Sequence, residues 1–299
     1  MKTLAEIILF STALLFATIS TAQDSARDDA EELKLAAMEA LIAAPAERAL
    51  PMVSKVLTGN HSIELKERAL FILGQIDDAG AQATLLQFAE DSSGELQAEA
   101  IRTIGIGGND ETLAALTTIY ASGDADTREA ILEAYMIAGD KQAVFDIAVS
   151  AEGRDFEEAV DMLSVMGARA ELRELLSRTG PSEVLIDAYA VSGDIEELRR
   201  MALDGNNPDL QAQAIEAMGI VGGEEVNATL LQIYKDATTD DIREAALDGM
   251  MIAGYDTGVL ELYRFSDDAA TKKELLEYLV MMGSDDVWAL IDSALDGDQ

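Results

Sequence analysis

The segment TREAILEAYMIAG at residues 127–139 returns as IREAALDGMMIAG at residues 242–254. Both copies place apolar residues three and four positions apart and end in glycine, the pattern of an amphipathic helix that stops at that glycine. Related segments recur about every 30 residues through the chain. Because one such helix pair cannot bury its apolar stripe alone, the repetition predicts an all-α solenoid of stacked helix pairs with a curved, right-handed superhelical form.

Each repeat combines a first helix that ends near glycine, a short polar turn and a second helix. Left-handed backbone at a helix end costs glycine nothing, which explains why glycine dominates the closing position. The predicted repeats fill residues 33–299 and leave no room for a second domain. The nine closing residues are Pro45, Asp77, Gly108, Gly139, Gly167, Gly193, Gly222, Gly254 and Gly283.

A second level of repetition lies above the first. LQAEAIRTIGIGG at 96–108 returns as LQAQAIEAMGIVGG at 210–223, and Leu96 and Leu210 are 114 residues apart. A block of four repeats is therefore duplicated. Polar residues ahead of the apolar stripes predict the starts of several first helices through capping of free backbone N–H groups. The predicted caps are Asp126, Asp155, Asp194, Asn207, Asp241 and Thr271.

The residues of these segments resemble the HEAT-like repeats of the phycobilin lyase type. That family has an acidic start, a basic residue, spaced alanines and a closing glycine, which IREAALDGMMIAG and the segment LKERALFILGQID at 65–77 follow. The basic residue is lost at Phe156 and Ser182, so the fifth and sixth repeats depart from the family. The resemblance implies the solenoid fold, and it implies that hydroxylase members of the family bind iron through paired His-Glu motifs.

The N-terminus has the features of a secretory signal peptide. Lys2 precedes an apolar run from Ile7 to Ile19, and small residues end at Ala22. We expect cleavage after Ala22, a polar lead at residues 23–32, and a periplasmic or secreted protein without stable membrane insertion. Retention of the segment as an anchor is the alternative.

Charge and composition narrow the partners and the chemistry. With 57 acidic and 21 basic residues, the net charge of −36 disfavours nucleic acid. The chain has no cysteine and one histidine, His61, so thiol chemistry and the family's paired-histidine iron site are not expected. No resident cofactor or metal is predicted, although paired carboxylates at the turns could bind cations weakly.

Arginines are concentrated in the fifth and sixth repeats of this acidic chain. Arg173 and Arg199 each follow a closing glycine by six residues, which predicts neighbouring positions on the second-helix face. Two interpretations stay open: a basic patch that docks an acidic peptide, or ion pairing with nearby glutamates. The candidate partner-binding residues are Arg169, Arg173, Arg199 and Arg200.

These features predict a non-catalytic scaffold that binds a protein or peptide in a concave helical groove. An enzyme or lyase-like accessory protein that handles a small ligand is the alternative function. A structural spacer is a third possibility. The repeat motif describes packing and does not decide among them.

Overall fold

The computed structural model describes residues 29–296. The predicted signal peptide at residues 1–22 lies outside the described residues. Residues 29–32 of the predicted polar lead are helical. The described helices form two compact units, which divide between Ala138 and Gly139.

The N-terminal unit is entirely helical in its described part. The chain alternates between the two helix layers that the repeats predict. Helices α3, α5 and α7 pack side by side in the first layer, and α2, α4 and α6 form the second layer. The elements are α1 (29–40), a 3₁₀ turn (Leu41–Ala43), α2 (Ala46–Thr58), α3 (Ile63–Gln75), α4 (Ala79–Asp91), α5 (Glu95–Gly107), α6 (Asp110–Ser122) and α7 (Ala125–Ala138).

The C-terminal unit continues the same alternation. Its odd-numbered helices form the first layer and its even-numbered helices the second. The elements are α8 (Lys141–Ser150), α9 (Arg154–Val165), α10 (Arg169–Thr179), α11 (Glu183–Ser192), α12 (Ile195–Ala202), α13 (Pro208–Val221), α14 (Glu224–Asp236), α15 (Asp240–Ile252), α16 (Asp256–Phe265), α17 (Ala269–Met282) and α18 (Val287–Asp296). The predicted all-α class and two-helix repeat architecture are confirmed.

The apolar stripes of the first helices form the core between the layers. Leu70, Ile101 and Leu132 are fully buried at matching positions of α3, α5 and α7. Small residues then allow the first helices to approach closely. A Cβ built on Gly105 would lie 2.6 Å from the Cα of Ala134, a distance that no real contact tolerates. The apolar periodicity and the small residues together set the spacing of the first layer.

Most predicted closing glycines end their helices as expected. Six of them, from Gly139 onwards, have a positive φ between 60° and 74°. Gly108 differs, because its φ is −69° and its backbone is extended. Asn109 then caps the next helix by accepting a hydrogen bond from the Thr112 amide.

Several predicted N-terminal caps were wrong by two or three residues. Asp124, and not Asp126, accepts from the Thr127 amide at 2.9 Å, while Thr239 and Asp268 take the roles expected of Asp241 and Thr271. In each case an acceptor side chain stands further upstream, and the helix gains hydrogen bonds by extending to it. Helix α9 starts after Gly153, which leaves Asp155 inside its first turn. The predicted cap at Asn207, with Pro208 as first helical residue, is confirmed.

Candidate functional site

The four arginines predicted to bind a partner lie on two second-layer helices of the C-terminal unit, two on α10 and two on the short helix α12. Arg173 of α10 donates from Nε to Oδ2 of Asp194 at 2.7 Å and from Nη2 to Oδ1 at 2.6 Å. Asp194 opens α12, is only 2% exposed, and makes no capping bond to the helix backbone. Glu196 adds a longer contact to the same guanidinium, at 3.3 Å. The carboxylates raise the pKa of Arg173, chiefly through the hydrogen bonds with Asp194.

The other three candidate arginines also have partners within the C-terminal unit. Arg169 donates from Nε to the Ser192 carbonyl at 2.9 Å, which satisfies a free acceptor at the end of α11. Arg199 pairs with Glu225 of α14 at 2.5 Å. Arg200 pairs with Glu197 at 2.8 Å. The ion-pair alternative therefore describes the contacts of Arg173, Arg199 and Arg200, and docking of an acidic peptide on them stays a prediction.

The four arginines do not form one continuous patch. Arg173 and Arg200 line an open groove of about 460 Å³ between α10, α12 and the start of α13. Arg199 lines a different groove, of about 700 Å³, between α12, α14 and α15. Arg199 and Arg200 are consecutive on a helix, so they point about 100° apart. Equal spacing from the closing glycines could not predict this division.

The two grooves exist because α12 is short. It has 8 residues, the fewest of any α-helix in the described part of the chain. Asp204, Gly205, Asn206 and Asn207 follow it, and these turn-forming residues end the helix before it can cover its neighbours. Asp204 accepts from the Asn206 amide at 3.1 Å and so stabilises that turn.

The larger groove is mostly apolar. Ala202, Ala228, Ile233 and Ile242 contribute to its walls, and Leu203 at its edge is 64% exposed. These residues were not predicted from the sequence, since none has the chemistry of a catalytic or basic site. The run of turn-forming residues from Asp204 to Asn207, directly after the short helix α12, is the sequence feature that could have indicated the groove.

His61 lies half-buried in the turn between α2 and α3, in the N-terminal unit. Across residues 29–296, no three His, Cys, Asp or Glu side chains are grouped so that they could hold a metal ion. No helix within those residues is long and apolar enough to cross a membrane.

Comparison with known proteins identifies the class of the repeats. The family model of HEAT repeats matches residues 50–136, a range that lies in the N-terminal unit. Residues 50–136 are therefore HEAT repeats, as the sequence predicted. No curated protein sequence matches it.

Two solved structures resemble the chain at low sequence identity. One is the complex of CpcE and CpcF of phycocyanin lyase from Nostoc sp. PCC7120, with 18% identity, a TM-score of 0.34, and coverage of 78% of this chain and 94% of that one. The other is human deoxyhypusine hydroxylase in complex with glycerol, with 19% identity, a TM-score of 0.36, and coverage of 85% and 91%.

Proposed function

We propose that the chain is a non-catalytic scaffold that binds another protein through the second-helix layer of its C-terminal unit. The observation that carries the proposal is the open apolar groove between α12 and α14. HEAT repeats stack into extended surfaces of the kind that solenoid proteins use for binding. A groove with an apolar floor and an ion pair at its rim has the composition of a protein-binding site.

The groove has the right size for an apolar anchor of a partner. Its volume of about 700 Å³ holds one or two large side chains with room for the backbone that carries them. Leu203 extends from the rim, where a partner would cover it. The Arg199–Glu225 pair beside it offers one cation and one anion for hydrogen bonds with the partner.

Export to the periplasm or the medium is part of the proposal. It is supported by the apolar run Ile7–Ile19 with small residues at its end. Fractionation of producing cells, with mass spectrometry of the mature N-terminus, tests it. We expect a chain that begins at Gln23 outside the cytoplasm. An intact N-terminus in the cytoplasmic fraction would contradict export.

Site-specific photocrosslinking tests the binding surface. A crosslinking side chain at Leu203 should capture one defined protein in the native cell, and the same side chain at Asp146, exposed on α8, should not. Substitution Ala228→Trp fills the groove at an exposed position and should abolish capture while the protein stays folded. Equal capture from both positions, or capture unaffected by Ala228→Trp, would refute the proposed surface.

A further inference from the structure

The first-helix layer of the C-terminal unit carries a row of exposed apolar side chains, which we call the apolar row. Each member lies two residues before the closing glycine of its helix, on four successive first helices. Their exposed fractions lie between 49% and 67%. Single exposed apolar residues are ordinary on a protein surface, but the same exposure at one repeat position four times is not. The apolar row consists of Val165, Val191, Ile220 and Ile252.

A row of carboxylates, the acidic row, runs beside it. Each member lies four residues before its apolar neighbour, one helical turn away on the same face. The acidic row consists of Asp161, Asp187, Glu216 and Asp248.

The carboxylates of the acidic row act on one another across adjacent helices. Partial burial, together with the charge of Asp187, raises the pKa of Asp161. Partial burial, together with the charge of Asp248, raises the pKa of Glu216. Tyr278 donates to Asp248 at 2.7 Å. Within residues 29–296, no lysine or arginine lies within ion-pair distance of these four carboxylates.

The N-terminal unit shows how the chain neutralises the same position elsewhere. Ile106 and Ile137 lie at the positions equivalent to the apolar row. Arg102 and Glu133 lie at the positions equivalent to the acidic row. Arg102 donates to Glu133 at 3.1 Å across the two helices. Arg102 and Glu216 are 114 residues apart, so the duplication places a carboxylate where the first copy has a cation. The C-terminal unit therefore lacks an internal cation at this position.

The acidic row ends at α15, before the last helix of the first layer. On α17 the equivalent carboxylate, Glu277, has Lys273 at 3.6 Å. The uncompensated stretch therefore covers α9, α11, α13 and α15, which pack successively in the first layer.

We propose that the apolar row and the acidic row together dock an amphipathic helix of another protein, with an apolar stripe flanked on one side by lysine or arginine. The apolar row would cover the stripe, and the acidic row would pair with the basic flank. This surface lies on the first-helix layer and is independent of the groove at α12.

The spacing of the rows suits a helix that crosses the layer. Packed helices lie about 8–10 Å apart, and seven residues of a helix advance about 10.5 Å. Apolar residues at heptad spacing would therefore meet successive members of the apolar row. The acidic row is displaced by four helical residues, about 6 Å, which is within reach of lysine or arginine side chains.

Charge complementarity selects a basic partner over a second copy of this chain. Two copies that met through this face would bring acidic rows together in molecules that each carry a net charge of −36. Desolvated like charges oppose such a contact. A basic helix instead supplies the cations that the row lacks.

A synthetic peptide provides the probe. It has three heptads with leucine at the two core positions and lysine at both flanking positions, so that the lysines prevent self-association. Fluorescence anisotropy with the mature protein should show saturable binding that weakens as NaCl rises. A peptide with glutamate in place of lysine should not bind.

Matched variants locate the peptide. Asp187→Arg with Glu216→Arg places cations beside Asp161 and Asp248, as Arg102 lies beside Glu133, and should weaken binding at least tenfold. Glu90→Arg with Asp146→Arg changes the net charge equally at exposed positions of the second layer, and should alter binding less than twofold. Val191→Gln with Ile220→Gln removes apolar surface without any change of charge and should also weaken binding at least tenfold. Helical content and thermal unfolding check that each variant is folded.

Three outcomes would overturn the proposal. Equal losses in the Asp187→Arg, Glu216→Arg protein and the Glu90→Arg, Asp146→Arg protein would mean that the peptide responds only to overall charge. Unchanged binding by the Val191→Gln, Ile220→Gln protein would show that the apolar row does not take part. Self-association of the unmodified protein that the same glutamines abolish would identify a second copy as the occupant. Ala228→Trp, which blocks the groove at α12, should leave peptide binding intact, so that the two proposed surfaces succeed or fail separately.

Discussion

Arg173 of α10 donates two hydrogen bonds to the buried carboxylate of Asp194, and this ion pair connects the fifth repeat to the sixth. Asp194 is almost inaccessible to water, so the guanidinium replaces the hydrogen bonds that water would otherwise donate to its carboxylate. Arg199 is the natural comparison, because its partner Glu225 is exposed.

Substitution of Arg173 should therefore destabilise the protein far more than substitution of Arg199. We expect Arg173→Ala to lower the free energy of unfolding by about 1–3 kcal/mol, since it leaves a buried carboxylate without its strongest partner. Arg199→Ala removes an exposed pair and should cost less than about 1 kcal/mol. Urea denaturation measures both. Equal costs would mean that water replaces the guanidinium at Asp194.

The same geometry affects how partner docking on these arginines can be tested. Arg173→Glu places a carboxylate against buried Asp194, so loss of binding in that variant would reflect misfolding. Arg200→Glu, at an exposed position of the same groove, is the cleaner probe.

The glycines of the first layer should resist enlargement where helices touch. A Cβ on Gly219 would lie 2.4 Å from the carbonyl oxygen of Gly249. Gly219→Ala should therefore force α13 away from α15 and cost about 1–3 kcal/mol. Gly205 in the loop has open space around it, so Gly205→Ala should be neutral or slightly stabilising. Thermal unfolding of the two variants gives the comparison, and a stable Gly219→Ala protein would show that the layer can expand.

Buried tyrosine hydroxyls form hydrogen bonds between first helices and second helices. Tyr189 donates from its hydroxyl to the Leu172 carbonyl at 3.0 Å, and burial raises the pKa of its phenol. Tyr189→Phe should cost about 1 kcal/mol, because the carbonyl loses its partner in a buried place. Tyr263→Phe keeps the ring that lies under Lys272 and should change stability little. Chemical denaturation that gave the two variants equal stability would contradict a structural role for the Tyr189 hydroxyl.

The acidic row should make stability depend on pH in a defined direction. The pKa of Glu216 is raised in the folded protein, so folding favours its protonated form, and its charge opposes folding at neutral pH. Glu216→Gln should then be more stable than the parent at pH 7 by up to about 0.5 kcal/mol, the size of an exposed like-charge pair.

That advantage should disappear as the pH falls below the ordinary pKa of glutamate, about 4.3, because the parent then carries a proton on Glu216 as well. Urea denaturation at pH 7 and pH 4 measures the difference. Glu90→Gln, at an exposed second-layer position, serves as the control and should show no such change. A gain from Glu216→Gln that persisted unchanged in acid would have another cause than charge repulsion.

Local patterns were enough to predict the helices and much of their ends. Apolar residues spaced three and four apart and closing glycines such as Gly193 and Gly283 act within one helix, so they can be recognised without tertiary contacts. Caps were less predictable, because Asp124 and Asp126 are both competent acceptors. The conformation of the preceding loop decides which of the two carboxylates lies beside the free N–H groups of α7.

Residue spacing alone was enough to predict an all-α chain of duplicated two-helix repeats, because each repeat carries that spacing internally. The contacts of the arginines and the surfaces that stay open could not be predicted in this way, because they depend on packing between repeats. Arg173 meets Asp194 and Arg199 meets Glu225 because packing brings neighbouring repeats together at set distances. The amino-acid sequence shows that Glu216 and Asp248 replace the Arg102–Glu133 pair in the second copy of the repeats. Its consequence, a row of carboxylates without an internal cation, depends on which helix faces lie side by side.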